Sequence, residues 1–427
     1  MNFVRSIGFI ICLFIGFVAN AQQPDKIYKP YIRTAQLFQY GNQQSLPVLM
    51  LNGSTRVELD FDDMEGSLKN YYYTYVLCDY NWTPLNLNPF DYLKGFTQNR
   101  ISTYRYSSIA FTRYTHYQVI LPEANSMPIR SGNYLLKVFL DGDTSKTVFT
   151  KRLYVVDNKA TITGEVVQPL TAQYYNTYQK LRFSINVKDI NSFSAGQQVK
   201  VVILQNNRQD NALKNVPPTF TRGNTLEYNS ENIGLFPGGK EWRWLDLRSF
   251  RLQSDRVDSA KYNKNSTIIY VKPDVDRRPQ RYVYFADLDG TYQIVTYESI
   301  NPFWQGDYAT VDFTFAPPEG KPYDGYDLYM IGGFTNYEYT DEWKMKFNEL
   351  DGKYELSTFL KQGYYNYAYE LVSKNNPTDR ISLEGNYFET ENMYTVLIYY
   401  KSFTDRADQL IGIGQFNSRR ERPGFSF

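Results

Sequence analysis

One stretch constrains the fold more than any other: Lys69 to Trp82, reading Lys-Asn-Tyr-Tyr-Tyr-Thr-Tyr-Val-Leu-Cys-Asp-Tyr-Asn-Trp. At the two-residue period of a strand, Tyr71, Tyr73, Tyr75 and Leu77 share one face, and Tyr72, Thr74, Val76 and Cys78 share the other. Both faces are mostly aromatic or apolar, and such residues suit a pleated, packed surface. A strand covered on both sides belongs inside a sheet or sandwich, not at a solvated edge. The stretch is therefore a structural centre and shows no chemistry. Composition extends the point to the whole chain, because 40 Tyr and 28 Phe in 427 residues, with few runs of Ala, Glu, Lys and Leu, lean towards all-β. A chain of this length is expected to form roughly two to four domains.

Met1 to Ala21 reads as a secretory signal: Arg5 supplies the positive start, Ile7 to Val18 the short apolar run, and Ala19-Asn20-Ala21 the small residues of a cleavage site. Cys12 lies inside the apolar run, and Phe9-Ile10-Ile11 before it lacks the small residue expected ahead of a lipidated cysteine. No later segment is apolar enough to span a bilayer as a helix. The expected mature chain is exported and neutral: 46 Lys and Arg stand against 45 Asp and Glu, and Arg5 leaves with the signal. That balance leaves no electrostatic footprint for nucleic acid or for an anionic membrane surface, any association with the outer membrane is expected through protein contact, and only Arg419-Arg420-Glu421-Arg422 is locally basic. Cys78 is then unpaired, so no internal disulfide is expected, and it reads as a small buried hydrophobe.

Strands are expected from Ala35 to Tyr40, Leu46 to Leu51, Arg56 to Phe61, Thr103 to Phe111, Thr115 to Leu121, Gly132 to Leu140 and Thr147 to Val156. Turn signals such as Asn52-Gly53 separate several of them. With the Tyr-rich strand they fit one sandwich. Thr83 to Arg100 is a long irregular loop broken by Pro84, Pro89 and Gly95, and a loop this long is either functional or packed on its own domain. After Asp157-Asn158-Lys159 a second β-rich region follows, with Tyr282 to Phe285 among its strands, and a third opens near Ala309. The best short helix is Thr404 to Ile411. The expected division is 1–21 signal, 22–157 first sandwich, 158–305 middle β-rich domain and 306–427 C-terminal sandwich. Together they make an all-β chain of tandem Ig-like or early-set sandwiches.

Catalytic patterns are weak. His116 is the only histidine, and one His cannot build a His-based metal site. There is no Gly-x-Ser-x-Gly elbow, no phosphate-cradling Gly loop and no paired Cys motif. The acidic groups Asp60-Phe-Asp62-Asp63, Asp141-Gly-Asp143 and Asp287-Leu-Asp289-Gly290 could offer oxygens to calcium. The turn reading is favoured for all three, since Asp and Gly suit tight turns. No enzyme, cofactor or metal is expected. Asp258-Ser259-Ala260 resembles an acceptor used for O-glycosylation of exported proteins.

The first domain resembles the type IX secretion system plug protein family. The blocks that carry the resemblance are Leu37-Phe-Gln-Tyr-Gly-Asn42, Ser45-Leu-Pro-Val-Leu49, Leu59-Asp-Phe-Asp-Asp63 and Lys69 to Trp82. Tyr114-Thr-His-Tyr117 and Ser131-Gly-Asn-Tyr-Leu-Leu-Lys-Val138, running on to Asp141-Gly-Asp143, continue them. Gly332-Gly-Phe-Thr-Asn336, Leu360 to Tyr367 and Asp405 to Gly412 are similar to that family's C-terminal half. The resemblance implies a non-catalytic protein on the periplasmic side of the outer membrane. Its expected partner is the large β-barrel translocon, which it closes while no substrate passes, with a periplasmic prolyl isomerase as a further member of the complex. The contact is expected in the long loop and beside it, at Trp82, Pro84, Leu87, Phe90, Tyr92 and Phe96.

A second, local resemblance joins Gly332-Gly-Phe-Thr-Asn-Tyr337, Trp343-Lys-Met-Lys-Phe347 and Gln362 to Glu370 to the early-set sandwich of glycogen- and starch-binding modules. That family usually carries Trp where Tyr337 stands. The alternative function it implies is carbohydrate binding by a periplasmic or surface protein, with Tyr337, Trp343, Tyr365 and Tyr367 as the sugar platform.

Overall fold

A computed structural model describes residues 24–187, 190 and 195–419. The expected signal, Cys12 and the basic tail beyond Arg419 lie outside the described residues. The chain is all-β, built from facing sheets. In the first sandwich one sheet runs in the order Ile32–Gln39, Val57–Asp63, Thr115–Leu121, Thr103–Tyr106. The other runs Val48–Met50, Thr147–Val156, Gly132–Leu140, Tyr71–Cys78, Asn99–Arg100. The Tyr-rich strand pairs with Gly132–Leu140 along its whole length, and Tyr71, Tyr73, Tyr75 and Leu77 fill the space between the sheets with Leu59, Phe61 and Tyr117. Phe61, Tyr71 and Tyr117 meet edge-on and stacked, with ring centroids 4.7–5.2 Å apart, in the offset geometries aromatic quadrupoles favour.

The remaining strands cross the expected boundary at 305/306. Val199–Gln205 pairs with Met393–Tyr400, which pairs in turn with Gln409–Asn417. This sheet faces Thr161–Val167, Tyr178–Asn186 and Thr225–Tyr228 across the second apolar core. A third core lies between the sheet centred on Tyr364–Ser373 and the six-stranded sheet containing Ser266–Val271, Tyr308–Ala316 and Lys353–Lys361. The chain thus leaves the second sandwich after Leu235–Pro237, builds the third, and returns to finish the second. Expected strands on both sides of residue 305 exist, but local periodicity carries no information on which distant strand they pair with. The expected helix at Thr404 to Ile411 is replaced by the strand Gln409–Asn417, because a short apolar run reads equally well in either period. Tyr282 to Phe285 is not a strand, and Thr103 to Phe111 ends at Tyr106.

The first sandwich is covered on both outer faces. The outer face of its Tyr-rich sheet packs on the second sandwich: Cys78, Leu135, Tyr154 and Val156 meet Val202, Leu204, Leu397 and Tyr399 in one buried apolar cluster. The outer face of its other sheet packs on the third sandwich through polar groups, described next. Both faces of Lys69 to Trp82 are therefore occupied, one by its own core and the other in part by a neighbouring sheet.

Candidate functional site

The loop after Trp82 does not present all the residues expected of a contact surface. Trp82 and Tyr92 are buried. Trp82 meets Tyr154 edge to face at 5.1 Å, beneath the Arg152 guanidinium, and Tyr92 belongs to the first core. Leu87 is half-buried against that core. A Trp or Tyr in a turn-rich loop is as readily an anchor as a platform, and here both are anchors. Pro84 is exposed, and Phe90 and Phe96 are 66% and 65% exposed. The tip is held by Asn88, whose side chain accepts from the Phe90 N–H, and by the two-stranded pairing of Leu93–Gly95 with Ser126–Pro128.

The expected sugar platform is interior. Trp343, Tyr365 and Tyr367 are buried in the third core. The Tyr365 hydroxyl donates to the Lys361 carbonyl at 2.6 Å, and that of Tyr367 donates to Asp274 at 2.8 Å. Tyr337 is half-buried; its hydroxyl donates to the Gly290 carbonyl and Arg208 lies over its ring. Asp258-Ser259-Ala260 falls on the sheet-edge strand Val257–Asn263, with Asp258 and Ser259 exposed.

The densest polar constellation is one the sequence reading assigned elsewhere. Asp60, Asp62 and Asp63 do not sit in a turn. They lie in the strand Val57–Asp63 and all three are buried. Val57, Leu59 and Phe61 point into the first core, which turns Glu58, Asp60 and Asp62 to the opposite face by strand alternation. His116 stands on the neighbouring strand, in register with Asp62. Its Nδ1 is 2.8 Å from Asp62 and its Nε2 is 3.1 Å from Asp60, and its ring stacks on Phe303. From the third sandwich, Lys361 donates to Asp62 and the Tyr308 hydroxyl donates to the same carboxylate at 2.6 Å.

The charges at this junction define one another. Burial lowers the Lys361 pKa, with Asp62 opposing it. Burial alone would raise Asp62, but the Lys361 ammonium and His116 outweigh it and hold the carboxyl below its ordinary range. Asp60, which lacks the ammonium contact, is raised by burial. His116 is lifted because its carboxylate bonds outweigh the burial that would lower it. With both ring nitrogens engaged by carboxylates, His116 has none left to take a proton from a substrate. The run of alternating acids with a lone His nearby marks a shared polar strand face, and not its burial. Reading those acids as turn residues concealed that face.

Around this centre, a rim of further hydrogen bonds joins the same two units. The Gln43 side chain exchanges two bonds with the Ile294 backbone, at 2.7 and 3.0 Å. Tyr114 donates to the Gly306 carbonyl at 2.6 Å, and the Asp307 carboxylate accepts from the N–H groups of Phe111 and Thr112, both at 3.0 Å. Where the three units converge there is a cleft of about 400 Å³, bordered by Gln36, Lys151, Asn207, Thr291 and Asn336. Among the described residues no group of three or more His, Cys, Asp or Glu side chains is placed to hold a metal ion. Asp287 and Asp289 are pushed by burial to about 7 and about 8.

Comparison with known proteins adds an assignment for the first sandwich. The chain is similar to a hypothetical protein from Parabacteroides merdae ATCC 43184, whose crystal structure matches with TM-score 0.88 and 28% identity over 93% of this chain and 99% of that one. A likeness to dimeric latent PorU from Porphyromonas gingivalis covers 91% of this chain and 34% of that one at 9% identity, and its TM-score of 0.15 carries no argument. No curated protein matches. Residues 32–157 match the family described as "Type 9 secretion system plug protein 1st domain", which spans the first sandwich from its first strand to one residue past its last. The first sandwich is thus similar to the first domain of the type 9 secretion system plug proteins.

Proposed function

We propose that the chain is a non-catalytic plug that closes the periplasmic side of the type IX secretion pore while no substrate is passing. The observation that carries this reading is the match of residues 32–157 to the plug first domain. The geometry supports it in a specific way. A stopper must resist deformation by the pore, and the first sandwich is gripped on both outer faces by the rest of the chain. Contact with the barrel then falls to loop tips and outer rims, including Pro84, Phe90 and Phe96. In the same reading the protein resides in the periplasm against the outer membrane, with a prolyl isomerase in the complex.

The three sandwiches are read as Ig-like, the third as early-set, and the units as 24–157, 158–237 with 391–418, and 238–390. The test is co-purification. Native outer membranes extracted in detergent should yield this chain with the giant barrel, and cells lacking it should leak large solutes. Failure to co-purify, with unchanged permeability, overturns the reading.

A further inference from the structure

Twenty large apolar side chains are exposed among the described residues, and six of them gather at one end of the molecule: Tyr106, Ile109, Phe111, Leu252, Tyr297 and Ile300. Three loops bring them together. Ser108 donates its N–H to the Trp304 carbonyl at 2.9 Å, which fixes the loop bearing Ile109 and Phe111 beside the turn bearing Ile300. Arg251 donates its N–H to Glu298, and Tyr297 donates to the Arg248 carbonyl, which ties in the loop bearing Leu252. Ile300, Ile109 and Leu252 are 99%, 76% and 75% exposed. Ile109 also holds a φ of +71°, a left-handed geometry that a β-branched residue adopts only against steric resistance. The anchors at Ser108, Phe111 and Thr112 hold it there, and strain so maintained on a surface tip points to use.

The charges these tips offer outward are mostly positive, with Asp255 the exposed acid on the Leu252 loop. Arg105, Arg113 and Arg251 are exposed, and Arg105 and Arg113 form no ion pair among the described residues. Two other neighbouring acids, Asp307 and Glu298, are occupied with the scaffold. Both Asp307 oxygens accept backbone N–H groups, and both Glu298 oxygens are bonded, to Ser249, Arg251 and Gln362.

We infer that this end is a membrane-docking surface for an anionic phospholipid bilayer. Aliphatic tips enter the acyl boundary, Tyr106 and Tyr297 sit at headgroup level, and the arginines meet lipid phosphates. Separate aliphatic tips on rigid loops suit a deformable lipid surface better than a shaped protein pocket. The inference goes beyond pore closure, since it gives the plug a hold on the membrane that does not depend on the barrel.

Vesicle flotation of the full mature chain tests it. Vesicles of phosphatidylethanolamine with about a quarter phosphatidylglycerol should carry the protein up, and neutral phosphatidylcholine vesicles should carry far less. Added salt should release it. The Ile109→Asp/Ile300→Asp double variant replaces exposed side chains only and should fold, as circular dichroism will verify, while its vesicle affinity falls about tenfold or more. No flotation of the wild type, or equal flotation of the double variant, overturns the inference. So does a double variant that loses the barrel in lipid-free detergent, because this end would then be a protein interface. That last result leaves pore closure standing, whereas failed co-purification of the wild type removes pore closure and leaves flotation untouched.

Discussion

The two outer faces of the first sandwich are both buried within the same chain, yet by opposite chemistry. The face of the Tyr-rich sheet meets the second sandwich through Cys78, Leu135, Tyr154, Val202, Leu397 and Tyr399, an apolar contact with few polar exceptions such as the Tyr399 hydroxyl donating to Asn133. The other face meets the third sandwich through Asp60, Asp62, His116, Tyr308 and Lys361. An apolar contact is non-directional and gains with area. A buried ionic contact gains little net free energy, because desolvation cancels most of the attraction, yet breaking one partner is costly. The apolar face supplies adhesion, and the polar face supplies orientation.

The largest effect should come from breaking the polar face on one side only. Lys361→Ala leaves Asp62 buried without its ammonium, which should cost about 3–5 kcal/mol. Leu397→Ala on the apolar face removes a buried side chain between two sheets and should cost about 3 kcal/mol, within the usual range for such truncations. The chain has several cores, so one transition is not assured, and the midpoint of each resolved urea transition is the quantity to compare. Replacing Lys361 and Asp62 together with apolar residues should recover much of the loss. If Lys361→Ala costs under about 1 kcal/mol, the ionic contact is not the buried pair its geometry implies.

The difference between the faces also explains what could be read from the sequence. The two apolar faces of Lys69 to Trp82 were legible, because side chains alternate with a period of two and both sets are apolar. The polar face was not, because Glu58, Asp60 and Asp62 alternate with Val57, Leu59 and Phe61 as they would on any strand with one solvated side. Nothing local distinguishes an acid facing water from one facing Lys361, 299 residues away. The return of Met393–Tyr400 to Val199–Gln205 was hidden for the same reason. Aromatic residues misled in the other direction, since Trp82, Tyr92, Tyr365 and Tyr367 have the composition of a binding surface and the burial of a core.

A smaller effect, and one confined to the polar face, should appear with pH. The folded-state pKa of His116 is raised above 6.5 by its carboxylate partners, so its contribution is fully present below about pH 6.5 and is lost as pH rises through the raised value. Asp60, also raised, titrates with the same sign from a lower starting point. Asp62, lowered, has the opposite sign, and its contribution disappears as pH falls through its depressed value. Lys361, Tyr308 and Phe303 complete the surroundings of the ring. The stability gap between wild type and His116→Gln should therefore narrow as pH rises above about 6.5, while the gap between wild type and Leu397→Ala stays level. A His116→Gln gap that is flat with pH would mean that folding leaves the imidazole's proton affinity unchanged, and one that widens as pH rises would mean that the imidazole is neutral in the fold.

The smallest perturbation uses Cys78 as a reporter. Its thiol is buried within the apolar face and burial pushes its pKa up to about 12. Only thiolate reacts, so at neutral pH it should be protected twice, by lack of access and by lack of ionisation. Labelling of Cys78 by a thiol reagent, resolved from Cys12 by peptide mass, then reports opening of the apolar face. In Lys361→Ala the polar face is weakened on the far side of the first sandwich, across a core of Tyr71, Tyr73, Tyr75 and Phe61. If the two faces hold independently, Cys78 should stay protected in that variant until urea unfolds the first sandwich itself, whereas Leu397→Ala should speed labelling already in buffer. Equal acceleration in both variants would mean that the faces open as one unit, and the separation of adhesion from orientation would fail.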